Sequence, residues 1–551
     1  MVVLRTPPTV EGGDFGGTKL SLLMEKQHNR GQDGAGAAIL AADPEPGETP
    51  YWIAKSASST PLADLLGAIG KRKPVANERI FIGHLRYATF GKNESSFCHP
   101  FIHESSELEH TLLLAGNFNL TNAPELFNEY RQHGSFPVSK ADGYLITELV
   151  AHELAGGKSL GDALSAALAN ADGAWTLCGA TGDGWSFATR DPHGIRPGWY
   201  YISEGVVAVA SERPAIQAAF DVPPEDVKEL PPGKALIVSP EGEIDVAELG
   251  SSAKAVPRPC VFERIYFSRA NDADIHRERK ALGAALVPQI LKAAEAPLED
   301  IFFSYIPNSA RIAFHGLLEE LFSNVSSTGM TGVESRDQKN PVNYVKRIPR
   351  FGEVAVKDAK FRTFIADAAA RREFYKHVYD VTYGLVRPGE DTLVVLDDSI
   401  VRGNTMKNAI LPMLDRLGPK RIVVASSAPP IRYPDCYGID MSTLGELVAF
   451  RALVNLLGEK AEAELRGNSL ADLYARFTDE QHCGEIARLL TPPGMRAEVK
   501  VVYQTIDALH AACPDSSGDW YFTGDYPTPG GDKVLHKALA NYLGHKNERS
   551  Y

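Results

Sequence analysis

The sequence predicts two folds in series: packed antiparallel sheets of α+β type, then an α/β half built on a parallel sheet. The early half is rich in short strand-like runs broken by Gly and Asp, at 80–84, 111–114, 174–179, 206–210 and 235–238. From about residue 301 strands alternate with helical periods, at 300–305, 310–322, 393–396, 406–417 and 421–425. That alternation is the pattern of strand–helix–strand units. A small, proline-containing stretch at 251–259 marks the boundary, and 551 residues suffice for two or more domains with full cores.

Composition narrows the function. The apolar fraction of 44% is ordinary for a globular chain. No run approaches the ~18 apolar residues of a membrane span, and Met1–Pro8 lacks the basic-then-apolar layout of a signal peptide. A net charge of −13 argues against general nucleic-acid binding. Six scattered cysteines without a Cys-x-x-Cys pair indicate neither a zinc ribbon nor a disulfide framework, so a reduced cytoplasm is expected. The polar stretch 323–354 reads as an inserted loop over a site or, preferably, a surface excursion.

The stretch 393–405, Leu-Val-Val-Leu-Asp-Asp-Ser-Ile-Val-Arg-Gly-Asn-Thr, carries the most chemistry. Four apolar residues make a buried strand, and Asp397 and Asp398 stand at its carboxyl end, where open parallel sheets bind ligands. The turn Ser399, Ile400, Val401, Arg402, Gly403, Asn404, Thr405 precedes a helix expected near Met406. Its backbone N–H groups and the helix dipole form an anion cradle, and Gly403 permits close backbone approach. Two carboxylates beside that cradle suit ribose hydroxyls, a divalent metal, or both. The segment resembles the phosphoribosyl-pyrophosphate (PRPP) loop of type I phosphoribosyltransferases, closest to the amidophosphoribosyltransferases, with Asn404 where that family usually has Thr. The resemblance implies that the acids hold the ribose hydroxyls and help place Mg²⁺, and that the turn holds the 5′-phosphate.

The early half adds three elements. Gln27–Gly36 alternates glycine with polar groups, as in a hydrogen-bonded turn feeding a buried strand. Gly83–Thr89 puts Arg86 just after a strand, where a guanidinium can clamp a carboxylate. Gly116–Asn122 offers side-chain and backbone amides after the strand 111–114; an amide beside a backbone N–H can make an oxyanion hole, or the segment is an Asn-rich turn capping a helix. Together these resemble the class II glutamine amidotransferase domain, which carries Gln-His-Arg-Gly-Gln, Gly-His-x-Arg-Tyr-x-Thr and Asn-Gly-Asn-Leu-x-Asn elements. The resemblance implies an αββα, N-terminal-nucleophile-type glutaminase domain over 1–250. It also implies a type I phosphoribosyltransferase domain over 260–470 and a helical or irregular extension over 471–551. Within it Arg86 would bind the glutamine carboxylate, Asp142 its amino group, and Asn117 with the Phe118 N–H would form the oxyanion hole.

The family's nucleophile is a Cys at the mature N-terminus, activated by its own α-amine. This chain begins Met1-Val2-Val3-Leu4-Arg5, and its first cysteine is Cys98, read as structural. Three explanations stay open: a start placed late, natural use of free ammonia, or loss of catalysis in favour of PRPP or nucleotide sensing. In the later half the turn Ile306–Arg311 matches the family's pyrophosphate turn, with Asn308 in an acid position and Ser309 a Mg²⁺ ligand beside Asp397 and Asp398. Lys357, Lys360 and Arg362 form a basic cluster, solvated or set against the leaving pyrophosphate. Cys260 and Cys436 coincide with two iron–sulfur ligands of one family branch, but the late Cys-x-x-Cys is missing, so no cluster is expected. The implied reaction moves ammonia, normally from glutamine, to C1 of PRPP. It would give 5-phosphoribosylamine, pyrophosphate and glutamate, with Mg²⁺, purine nucleotides as feedback ligands, and assembly as a homo-oligomer.

Overall fold

A computed structural model describes residues 1–6, 14–41, 44, 47, 50–87, 94–132, 139–250, 255–331, 348–357, 379–546 and 548–550, without the side chains of 325–331. In the N-terminal half two antiparallel sheets face each other. The seven-stranded sheet runs Lys228–Glu229, Trp199–Ser203, Val206–Ala210, Val2–Arg5, Glu78–Arg86, Gly34–Ala41, Tyr51–Ser56. The six-stranded sheet runs Ile244–Glu248, Lys234–Val238, Ser186–Arg190, Gly173–Thr181, Leu112–Leu120, Phe101–His103.

Side-chain alternation explains the layering, because successive residues of a strand point to opposite faces. Val3, Ala38, Leu40, Ile80, Ile82, Val207 and Val209 point inward and meet Leu113, Ala115, Cys178 and Leu236 of the second sheet. Their neighbours Val2, Leu4, Ile39, Phe81 and Ala208 point outward onto the helices Phe15–Lys26, Pro61–Lys71 and Arg213–Phe220. The second sheet is covered outside by Ala123–Gln132, Asp142–Ala155 and Leu160–Leu168. The result is the expected four-layer αββα arrangement.

The later half has a five-stranded, all-parallel sheet in the order Arg350–Phe351, Ile301–Tyr305, Thr392–Asp397, Arg421–Ser426, Glu498–Tyr503. Leu393, Val395, Ile422 and Val424 enter one core, and Val394, Leu396, Val423 and Ala425 the other. Both faces are covered, which is why these strands read as unbroken apolar runs. The stretch read as a surface excursion returns as the edge strand Arg350–Phe351, and residues 332–347 within it lie outside the described residues. The C-terminal segment is not only helical and irregular: it supplies the opposite edge strand, Glu498–Tyr503.

A third core joins the halves. Cys260, Val261, Phe262 and Ile265 pack with Tyr433, Cys436, Tyr437, Trp520 and Phe522, and the early half contributes Ala174 and Ile195. Asp172 ties the C-terminal helix Pro529–Leu543 to the early half. Its carboxylate accepts from Thr528 Oγ1 at 2.6 Å and from the Gly530 N–H at 2.9 Å, in the place a helix cap occupies. Asp172→Ala is therefore expected to cost about 1–2 kcal/mol, read as a lower denaturant midpoint, while Asp532→Ala in the same helix's first turn should cost less.

Candidate active site

The acid pair stands where the parallel sheet ends. Thr392–Asp397 delivers Asp397, and the next residues form one wall of a cavity of about 1770 Å³. Ser309, in the turn after the neighbouring strand, also lines it, and its hydroxyl donates to Asp398 Oδ2. Burial pushes the Asp397 carboxyl well above its usual range, and the Asp398 charge adds to the rise. Burial also raises Asp398, opposed by its hydrogen bonds from Ser309 and Ser399 and by the charge of Arg279. Two crowded, desolvated carboxyls without a salt-bridge partner among the described residues call for a cation or a set of hydroxyl donors.

The turn that follows works through its backbone. Ile400 is buried in the core, and the Val401 carbonyl accepts from the Val448 N–H at 3.0 Å. Arg402 lines the cavity, but its guanidinium is taken up by Glu446 at 2.7 Å and Asp440 at 3.2 Å. Gly403 has φ +75°, and a Cβ there would lie 2.3 Å from Leu490 Cδ2. Asn404 and Thr405 are exposed on the cavity and open the helix, which passes through a π-helical turn, Met406–Ile410, before Leu411–Asp415. Pro412 has no N–H for the Asn408 carbonyl, which accounts for the widened turn. Lys357 reaches the cavity from the strand Ala355–Lys357, paired with Tyr379–Val381; Lys360 and Arg362 lie outside the described residues.

A second, smaller cavity of about 120 Å³ opens in the early half. Arg86, Asn117, Phe118 and Asp142 all line it, so the fold gathers the four residues expected to handle glutamine. One expectation is corrected: Asn117 and Phe118 do not follow a strand ending at 114 but lie inside Leu112–Leu120, paired with Thr176 and Trp175. The long partner strand Gly173–Thr181 holds this Asn- and Gly-containing sequence extended against its local preference. Asp142 opens the helix Asp142–Ala155, and burial pushes its carboxyl up to about 6. Cys98 is buried and outside the cavity lining, and burial raises its thiol. No cysteine is among the lining residues; at the start of the central strand stands Met1, whose amino group donates to Ser211 Oγ at 3.3 Å.

Two histidines without an assigned role in the sequence shape this cavity. His84 Nε2 donates to the Gly116 carbonyl at 3.0 Å, and His99 Nδ1 accepts from the Gly116 N–H at 3.2 Å. The rings stack at 4.1 Å and together fix the peptide before Asn117. Burial lowers both, His99 to about 3, so they act as neutral rings.

Arg30, Tyr87 and Phe267 line both cavities and form the wall between them. Arg30 donates to Glu263 at 2.9 and 2.7 Å and to Glu212 at 3.2 Å, a buried cluster that Arg196 completes at 3.5 Å from Glu263. Cys260 and Cys436 sit in the apolar core beside this junction, their thiols raised by burial, Cys260 to about 11.

Gly403→Ala adds a methyl against Leu490 at a φ that disfavours side chains. It is expected to weaken ribose 5-phosphate binding by roughly tenfold or more while the far-ultraviolet circular dichroism stays that of the parent.

No protein-family model matches the chain. It is 30% identical to the amidophosphoribosyltransferase of Pseudomonas aeruginosa over 387 residues, which are 67% of this chain and 70% of that one. Against the amidophosphoribosyltransferase of Bacillus subtilis it is 29% identical over 422 residues, 74% and 79% of the two chains. The solved B. subtilis glutamine PRPP amidotransferase, in complex with ADP and GMP, superposes with a TM-score of 0.68 at 25% identity, covering 96% of this chain and 97% of that one. A structure described as the allosteric regulatory enzyme of purine biosynthesis gives 0.69, also at 25%. The likeness thus spans both halves and the junction, and the chain belongs to the amidophosphoribosyltransferase family.

Proposed function

We propose that the chain transfers ammonia to C1 of PRPP, releasing pyrophosphate and forming 5-phosphoribosylamine, with glutamine as the normal source of ammonia. One observation carries this reading: the desolvated pair Asp397–Asp398 and the backbone turn at Gly403 open on a large cavity that shares a wall with a second, amide-sized one. In the large cavity the turn 399–405 holds the 5′-phosphate through its N–H groups. Asp397 and Asp398 orient the ribose hydroxyls, which places C1 for attack. Lys357, and Lys360 with it, offsets charge on the departing pyrophosphate.

The oxygen donors Ser309, Asp397 and Asp398 fit a hard divalent cation, and Mg²⁺ held there would neutralise phosphate charge. In the small cavity Arg86 pairs with the glutamine carboxylate, Asp142 with its ammonium, and Asn117 with the Phe118 N–H receives the developing oxyanion. A thioether such as that of Met1 does not attack an amide, so glutamine hydrolysis needs a thiol at this place, whereas ammonia-dependent transfer does not. The ADP and GMP of the solved relative support purine nucleotides as regulators here.

The pair is tested by pyrophosphate release from PRPP with saturating ammonium at raised pH. Asp398→Asn is expected to lower turnover by about a hundredfold or more with a melting temperature no lower than the parent's, because the substitution removes a buried, charge-crowded carboxyl. Unchanged turnover would remove Asp398 from the reaction.

Asp142 gives a pH signature. Its carboxyl titrates near 6 in the fold against 3.8 ordinarily, so its contribution to stability is full below about pH 4 and lost as pH rises through 6. Glutamine binding has the opposite sign, because only the carboxylate pairs with an ammonium. Affinity for L-glutamine by calorimetry should therefore fall as pH drops below 6, and the fall should vanish in Asp142→Asn.

A further inference from the structure

We infer that Arg279 is a further substrate-binding residue of the transferase cavity, its guanidinium meeting the pyrophosphate oxygens of PRPP. The inference rests on the phosphoribosyl reading above and adds a residue to it. Arg279 lies in the helix Ala273–Ala285 and is 3% exposed. Its Nε donates to the Arg264 carbonyl at 2.7 Å, and its Nη2 to those of Tyr266 at 3.0 Å and Ser268 at 2.7 Å. Nη1 has no hydrogen-bond partner among the described residues, and Arg279 lines the cavity that holds Asp398 and Ser309.

A purely structural clamp would explain three bonds to carbonyls but not the charge. Burying a guanidinium is costly unless an anion compensates it. Arg196, the other buried arginine of this junction, has one in Glu263 at 3.5 Å, and the partly buried arginines pair likewise: Arg30 with Glu263 and Glu212, Arg213 with Asp272, Arg264 with Glu278. Around Arg279 no carboxylate lies within 4.0 Å among the described residues. Asp398 is near enough to feel its charge, but it is already crowded by Asp397 and hydrogen-bonded by Ser309 and Ser399. The anion that balances Arg279 therefore belongs in the cavity.

Packing ties the helix of Arg279 to the turn of Asn308 and Ser309. The helix carrying Arg279 crosses the helix Arg311–Thr331 at closest approach, where a Cβ on Gly283 would lie 1.7 Å from the Ala313 oxygen and one on Gly316 2.0 Å from the Lys280 oxygen. Arg311–Thr331 begins directly after the turn that carries Asn308 and Ser309. That contact locks the helix of Arg279 to the turn expected to hold pyrophosphate, while the acid pair and the Gly403 turn take the ribose 5-phosphate. A planar fork with two nitrogens already bonded to carbonyls presents its third with little further loss of freedom.

The test compares inorganic pyrophosphate with Mg²⁺ against ribose 5-phosphate, each titrated calorimetrically into the full chain. Arg279→Gln is expected to weaken pyrophosphate by roughly tenfold or more and ribose 5-phosphate by less than about threefold. Arg279→Lys, which keeps the charge, should recover part of the pyrophosphate affinity. Unchanged pyrophosphate binding in Arg279→Gln overturns the inference. So does parallel loss of both ligands, which marks a structural clamp, and so does a lysine variant as weak as the glutamine one. If the parent binds neither ligand, the phosphoribosyl reading fails and the inference with it.

Discussion

The buried pairing of Arg30 with Glu263 is the contact on which the two-cavity arrangement depends. Arg30 comes from the turn His28–Arg30 beside the small cavity, Glu263 from the junction, and Glu212 from the residue that opens the helix Arg213–Phe220. Burial works to raise the Glu263 carboxyl, but the charge and hydrogen bonds of Arg30, the Arg196 charge and the Ser268 hydroxyl together outweigh it and hold it below its usual range. Removing one partner of such a pair leaves the other charged and desolvated, at a cost of about 3–5 kcal/mol. The cluster also fixes chain path: Asn29 donates to Glu212 and to the Phe267 carbonyl, and Arg269 donates to the Lys26 carbonyl. Phe267, and with it the wall between the cavities, is set by these bonds.

Each site is built on the rigid part of its own half. The acid pair ends a strand buried on both faces, and the Gly403 turn is pinned by Ile400, Val448 and Leu490, so the phosphate cradle proposed for this backbone would need little ordering on binding. In the early half Arg86 and His84 share one face of a strand that runs between two others, and Gly116 is gripped by two neutral rings. The C-terminal segment closes the structure: it supplies the strand Glu498–Tyr503 and the aromatic residues Trp520 and Phe522 of the shared core, and its last long helix is capped by Asp172.

The three inner parallel strands were legible, and the edge strand Glu498–Tyr503 was not, because burial on both faces leaves no alternation to misread, as Leu393–Leu396 shows. The acid pair and the glycine turn were legible because their chemistry is local. Asn117 and Phe118 were placed after a strand instead of within it, since Gly, Asn and Asn are poor strand formers and the pairing with Gly173–Thr181 that overrides them is nonlocal. The strand Arg350–Phe351 was missed because two residues carry no period. Arg279 was invisible for a different reason. In Arg277-Glu278-Arg279-Lys280 it reads as one charge on a solvated helix face, and the carbonyls of Arg264, Tyr266 and Ser268 that hold it carry no sequence signal. The Arg30–Glu263 pair, 233 residues apart, has no sequence signal at all.

The proposed reaction joins nitrogen to the anomeric carbon of PRPP in the cavity at Asp397–Asp398. The direct measurement is nuclear magnetic resonance of PRPP labelled with ¹³C at C1, incubated with the chain, Mg²⁺ and ¹⁵N-ammonium at raised pH. A one-bond carbon–nitrogen coupling at C1, appearing together with free pyrophosphate, is the predicted result. Ribose 5-phosphate and pyrophosphate without that coupling, or PRPP left intact, would contradict it.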